Sequence, residues 1–174
     1  MWRQRHKNKE YIIMKILLTL LLAFVLALSP VNVNATSYIK TDGGTKLIYL
    51  KNYYPSKWKS VPTRTIVDSF GMWNRQCTSY AAFKVKQMHG YHLMYWGDAK
   101  LWLSSAKKAK VKTGSVPKRF SVGISTKGRY GHAVFVEKIS GDKKRIRVSE
   151  YNGSKVAGYS TAIRQSSSYR YIYF

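Results

Sequence analysis

The sequence predicts an α+β fold, and three observations carry that expectation. Residues 77–89 place apolar side chains close to helical spacing, residues 132–139 and 145–151 alternate with a period of two, and Ser140-Gly141-Asp142 supplies a turn between the two alternating runs. Helices first and an antiparallel run after them is the α+β order. A chain of 174 residues has room for one globular domain plus tails.

Taken in order, residues 1–35 read as an export signal. Arg3, Arg5, Lys7, Lys9 and Lys15 form a basic head, and Ile16 to Leu28 is an apolar run broken only by Thr19. Ser29 and Pro30 end the run, and Val33-Asn34-Ala35 fits a small-residue cleavage site. The run has 13 residues, short of the roughly 20 a spanning helix needs, and an uncleaved anchor is the alternative. Met14-Lys15 would make a more compact start than Met1, so either methionine can be the initiator.

Residues 36–65 form a basic, aromatic lead with turns at Gly43-Gly44, Pro55 and Pro62 and a short strand over residues 46–51. Its Tyr38, Tyr49, Tyr53, Tyr54 and Trp58 either grip a glycan or polyanion, or strap the lead onto the domain that follows. The domain itself is expected over residues 66–174. Residues 77–89 form its first helix, with Tyr80, Ala81, Phe83 (or Lys84), Val85 and Met88 on the apolar side, a polar start at Gln76 and a stop at Gly90. Residues 97–108 predict a second, with Asp98 near its N-terminus and Lys107 and Lys108 near its C-terminus. After Pro117 come the hairpin strands and a last strand over residues 169–174; no internal repeat is present.

Composition narrows the function. Lysine and arginine number 31 against 7 acidic residues, a formal net charge of +24. With 45% hydrophobic and 14% aromatic residues the chain is too apolar for a disordered polycation. A lone cysteine excludes an internal disulfide and any zinc site needing two thiolates. Cleavage after Ala35 would leave 26 basic and 6 acidic residues, so the charge belongs to the mature chain. Export then points to the anionic envelope outside the cell rather than to intracellular nucleic acid. Lys100, Lys107, Lys108, Lys110, Lys112, Lys118 and Arg119 lie in an acid-free stretch that either holds such a polymer or is a solvated basic face.

Three features carry chemistry. Cys77 opens a helix, where unsatisfied amides and the helix dipole favour a thiolate nucleophile. His132 opens a strand after Gly131, placed to take the thiol proton. Glu150 and Asn152 end the partner strand, two residues apart on one face, so either can orient the imidazole. The Cys77 backbone N–H is a natural oxyanion donor, and the Gln76 side-chain amide is a candidate second donor. Trp73, Trp96 and Trp102 line a substrate groove or fill the core. His89 and His92 have no further ligand, so no metal is expected there.

The run Trp73-Asn74-Arg75-Gln76-Cys77-Thr78-Ser79-Tyr80-Ala81-Ala82 resembles the cysteine motif of CHAP domains, the cysteine, histidine-dependent amidohydrolase/peptidase family. Tyr130-Gly131-His132-Ala133-Val134-Phe135-Val136-Glu137 resembles the family's histidine strand, and Val148-Ser149-Glu150-Tyr151-Asn152 its Glu/Asn strand. Gly158-Tyr159-Ser160-Thr161, with Tyr171-Ile172-Tyr173, resembles its ending. The resemblance spans residues 66–174. It implies a papain-like fold with N-terminal helices on an antiparallel sheet, and a secreted enzyme cleaving amide bonds of peptidoglycan as amidase or endopeptidase. Cys77 would be nucleophile, His132 base then acid, and Glu150 the orienter with Asn152 assisting or replacing it; from the residues themselves, Gln76 and Trp73 are the candidate oxyanion- or substrate-binding side chains. No cofactor is implied.

The expected partners are peptidoglycan and anionic wall polymers, with no specific nucleic acid, and the membrane met only through the signal segment before cleavage. A monomer, secreted or wall-associated, is expected. The family often has glycine before the glutamine and an aromatic two positions after the cysteine. Here Arg75 and Ser79 stand there, which predicts an altered fit at the mouth of the site. A cationic wall-binding or effector protein with an inactive CHAP fold is the alternative function.

Overall fold

A computed structural model describes residues 51–174 together with two short paired segments, β1 (Lys40–Thr41) and β2 (Gly44–Thr45). The export signal and the strand expected over residues 46–51 lie almost wholly outside the described residues; Lys51 itself is not in a strand. The β1–β2 pair belongs to a separate unit from the domain.

Within the domain, α1 (Ser56–Lys59) is one turn of helix, and α2 (Cys77–His89) has the predicted limits. Gly90, at φ 69, ends α2 with its N–H on the Lys86 carbonyl. The second predicted helix is a 3-10 turn at Ala99–Leu101 running into α3 (Trp102–Lys108). The strands are β3 (Lys112–Gly114), β4 (Val122–Ser125), β5 (His132–Ile139), β6 (Arg145–Tyr151), β7 (Tyr159–Gln165) and β8 (Arg170–Tyr173). They form an antiparallel sheet in the order β3-β8-β4-β5-β6-β7. This is the expected α+β architecture.

β5 lies inside the sheet and is covered on both faces. Ala133 and Phe135 face the helix-side core with Ala81, Ala82 and Val85, while Val134 and Val136 pack with Ile146, Val148 and Tyr171 on the other side. Coverage of both faces explains why Ala133 and Phe135 are apolar beside the alternating Val134 and Val136. Helix α2 lies on β5 and β6, and a polar link fixes it there. Lys84, only 2% exposed, pairs with Glu137 at 3.1 Å. Ser149 donates to the same Glu137 oxygen at 2.6 Å, and Tyr80 donates to Ser149 at 3.0 Å. Lys84 is therefore a core residue, where an exposed side chain is the usual place for a lysine.

The lead packs into this core. Tyr54 and Trp58 are buried, and Tyr54 meets the rings of Tyr80, Phe83 and Tyr151. Asn74, fully buried, ties the lead down: its Nδ2 donates to the carbonyls of Trp58 and Pro62, and its Oδ1 accepts from the N–H groups of Thr65 and Ile66.

Candidate active site

Helix α2 delivers Cys77 in its first turn, where backbone N–H groups have no intrahelical acceptor. The thiol is half-buried. Strand β5 begins at His132, and the β5–β6 register, with Phe135 opposite Ser149, sets Glu150 diagonal to His132 on one face. His132 Nε2 lies 2.9 Å from Glu150 Oε2. The Cys77 side chain hydrogen-bonds the same imidazole, which leaves Nδ1 as the nitrogen for the thiol. Cys77, His132 and Glu150 are thus brought together as thiol, imidazole and carboxylate in that order.

The Glu150 carboxylate is completely buried and heavily held. Its Oε1 accepts from Arg164 Nη2 at 2.7 Å, Ser154 N at 3.1 Å, Ser154 Oγ at 3.0 Å and Ser160 Oγ at 3.3 Å. A Cβ at Gly153 would lie 2.4 Å from the carboxyl carbon, so this pocket requires glycine there. Burial works against ionisation of Glu150, but the His132 contact, the Ser154 N–H and the Arg164 charge outweigh it and bring the pKa down to about 2. Burial likewise works to lower the pKa of His132. Its bonds to Cys77 and Glu150 prevail, and it is pushed up to about 9.

Asn152 does not share this contact. Strand β6 ends at Tyr151, and Asn152 turns into the left-handed region at φ 53. Its Nδ2 then donates to Gln76 Oε1 at 2.9 Å, and its Oδ1 accepts from the Ala157 N–H at 2.9 Å. Gln76 spends its own amide on Thr63 Oγ1 at 2.8 Å and on the Arg75 carbonyl at 3.3 Å. Both residues line a cleft of about 470 Å³ with Cys77, His132, Trp73 and Tyr130. Trp73 is 52% and Tyr130 48% exposed, so the cleft offers two aromatic walls. Trp102 is core, and Trp96 packs edge-on against it. His89 and His92 each bond a backbone carbonyl, those of Phe120 and Ser69.

The CHAP domain family model matches residues 67–152. The chain carries a CHAP domain. Over 77 residues it is 36% identical to the probable autolysin SsaALP of Staphylococcus aureus, covering 44% of this chain and 29% of that protein. Over 102 residues it is 29% identical to the staphylococcal secretory antigen ssaA2 of the same species, covering 56% and 37%. A solved N-acetylmuramoyl-L-alanine amidase from Staphylococcus aureus superposes with a TM-score of 0.54 at 28% identity, covering 68% of this chain and 36% of that one. The chain spans about a third of the length of these relatives.

The two departures from the CHAP motif sit away from the cleft mouth. Arg75 has φ 59, the region that favours glycine, and its guanidinium reaches the carbonyls of Ala157 and Val61. Ser79 is fully buried and donates to Asp68, and the Tyr54 hydroxyl donates to Ser79 while accepting from the Arg75 N–H at 3.1 Å. Both departures therefore meet at Tyr54, and the altered fit lies under α2 rather than at the mouth of the site. Sequence reasoning placed Tyr54 only as a lead aromatic, without its bonds to Arg75 and Ser79, and missed Arg164, Ser154 and Gly153. Only Gly153, beside the Glu/Asn pair, left a signal in the sequence, as a glycine next to a functional turn.

Proposed function

We infer that this chain is a cysteine hydrolase of bacterial peptidoglycan that acts outside the cell after export by residues 1–35. The observation that carries it is the linear set of Cys77, His132 and fully buried Glu150 facing an aromatic-walled cleft. The likeness to an autolysin and to an N-acetylmuramoyl-L-alanine amidase supports an amide bond of peptidoglycan as the target. The sugar–peptide amide is the first bond to examine. The net charge of +24 favours a wall rich in anionic polymers.

In this reading the Cys77 thiolate attacks the scissile carbonyl while His132 carries the thiol proton. The tetrahedral oxyanion is met by the Cys77 backbone N–H. His132 passes its proton to the leaving amine, and an acyl-thioester remains on Cys77. Water, deprotonated by His132, attacks the thioester and releases the acid, and the proton returns to the sulfur. Glu150 is the third member, holding the ring through Nε2 and favouring its charged form. Asn152 and Gln76 shape the cleft floor through their mutual bond.

Digestion of purified peptidoglycan, wild type against Cys77→Ala, with released ends identified by mass spectrometry, tests the reading. New amine and acid ends that vanish with Cys77→Ala are the expected result, and their masses name the bond. A folded wild type that releases no ends from several wall types would leave a wall-binding protein instead.

A further inference from the structure

Carboxylates are scarce in this chain, and the fate of each can be followed. Residues 51–174 contain five: Asp68, Asp98, Glu137, Asp142 and Glu150. Asp68 accepts from the N–H groups of Phe70 and Met72 and from Ser79. Glu137 holds Lys84 and Ser149, Asp142 holds Ser140 and the Lys144 N–H, and Glu150 holds His132 and Arg164. Asp98 alone makes no side-chain hydrogen bond or ion pair among the described residues. It precedes the 3-10 turn Ala99–Leu101, yet its side chain does not cap it. It is exposed, and it lines the same cleft as Cys77 and His132.

Its loop is tied on both sides. The Trp102 indole, fully buried, donates to the Gly97 carbonyl at 3.0 Å and pins one side of the loop. On the other side the Lys100 N–H donates to the Tyr130 carbonyl at 3.0 Å, two residues before His132. Gly131, at φ 70, lies so close that an added Cβ would fall 2.7 Å from Lys100 N. The backbone thus couples the Asp98 loop to the start of β5. A free carboxylate held beside a candidate catalytic pair, in a chain of +24 formal charge, is placed to receive a cation from outside the protein.

We propose that Asp98 is a specificity-determining residue that binds a primary ammonium group of the peptide substrate in the Cys77 cleft. This rests on the hydrolase reading above and adds the charge of the substrate. The ammonium can come from a diamino-acid side chain or from a free peptide N-terminus; both present the same chemistry to the carboxylate.

Binding to the Cys77→Ala chain tests it without turnover. Peptidoglycan fragments with free amines are compared by calorimetry with the same fragments acetylated at the side-chain amine only or at the N-terminus only. One of the two acetylations should weaken binding about tenfold, the size of one charge-assisted hydrogen bond, and thereby name the source. Asp98→Asn should weaken the free-amine fragment about equally and leave the acetylated fragment unchanged. Equal dissociation constants for free and acetylated fragments, no effect of Asp98→Asn, or no binding of any fragment overturns the proposal. Wild-type cleavage of the same fragments is read separately. Cleavage with no amine preference removes Asp98 and keeps the hydrolase, whereas amine-dependent binding without cleavage supports Asp98 and removes the hydrolase.

Discussion

Glu150 is a fully buried carboxylate in a protein with few carboxylates, and two opposing effects meet on it. Burial raises its pKa; His132, the Ser154 N–H and Arg164 outweigh it and hold the carboxylate ionised. The consequence is a pH window with a definite sign. His132, raised from 6.5 to about 9, stabilises the fold fully below 6.5 and loses that contribution as pH rises through about 9. Glu150, lowered from 4.5 to about 2, contributes fully above 4.5 and loses it as pH falls through about 2. The pair is complete between 4.5 and 6.5. Activity that uses a protonated His132 beside the sulfur should decline above pH of about 9. Glu150→Gln removes the negative charge that favours the imidazolium, so the alkaline limb of kcat/KM should move to lower pH and kcat should fall at least tenfold. A pH–rate profile of both proteins on solubilised peptidoglycan fragments checks this. An unmoved alkaline limb would disconnect Glu150 from the titration of His132.

At the scale of elements, the helix that carries Cys77 is held from two sides. The sheet side uses the Lys84–Glu137 pair; the lead side uses a chain of donors from the Arg75 N–H through Tyr54 and Ser79 to Asp68. Tyr54→Phe keeps the ring packing and deletes the relay. It leaves the Arg75 N–H without its acceptor, which should cost about 1–3 kcal/mol and lower the melting temperature by several degrees. Ser79→Ala should cost less in the Tyr54→Phe background than in the wild type, because the two hydroxyls share one bond. Thermal melts of the four proteins measure both effects.

The same elements explain what was legible in the sequence. α2, β5 and β6 appear with their predicted limits: Gly90 stops α2, β5 is an apolar run covered on both faces, β6 alternates at its start, and the turn at Ser140-Gly141-Asp142 fixes the pairing that brings Glu150 to His132. β4 has four residues and β7 alternates weakly, with Ile163 exposed, so neither leaves a strong period. Asn152 departs from the alternation because strand geometry stops one residue before it. The Tyr54–Ser79 bond spans 25 residues and the Glu150–Arg164 pair 14, separations beyond the reach of a local pattern.

For the molecule as a whole, the question is where the folding unit begins. A boundary at residue 66 follows the motifs, but the packing runs further back. Tyr54 is 1% and Trp58 6% exposed, and both belong to the main core. A chain starting at residue 66 would also strip Asn74 of the Trp58 and Pro62 carbonyls and the Thr65 N–H, leaving a buried amide unsatisfied. Removal of a large buried aromatic costs about 3–5 kcal/mol, and two such losses rival the whole stability of a small domain, about 5–15 kcal/mol. We therefore propose that the lead is part of the catalytic domain and that residues 66–174 do not fold alone. Residues 36–174 should melt cooperatively and protect α2 amides from hydrogen exchange; residues 66–174 should show neither property. A cooperative melt of the shorter chain within a few degrees of the longer one would make the lead a dispensable appendage and return it to a binding role.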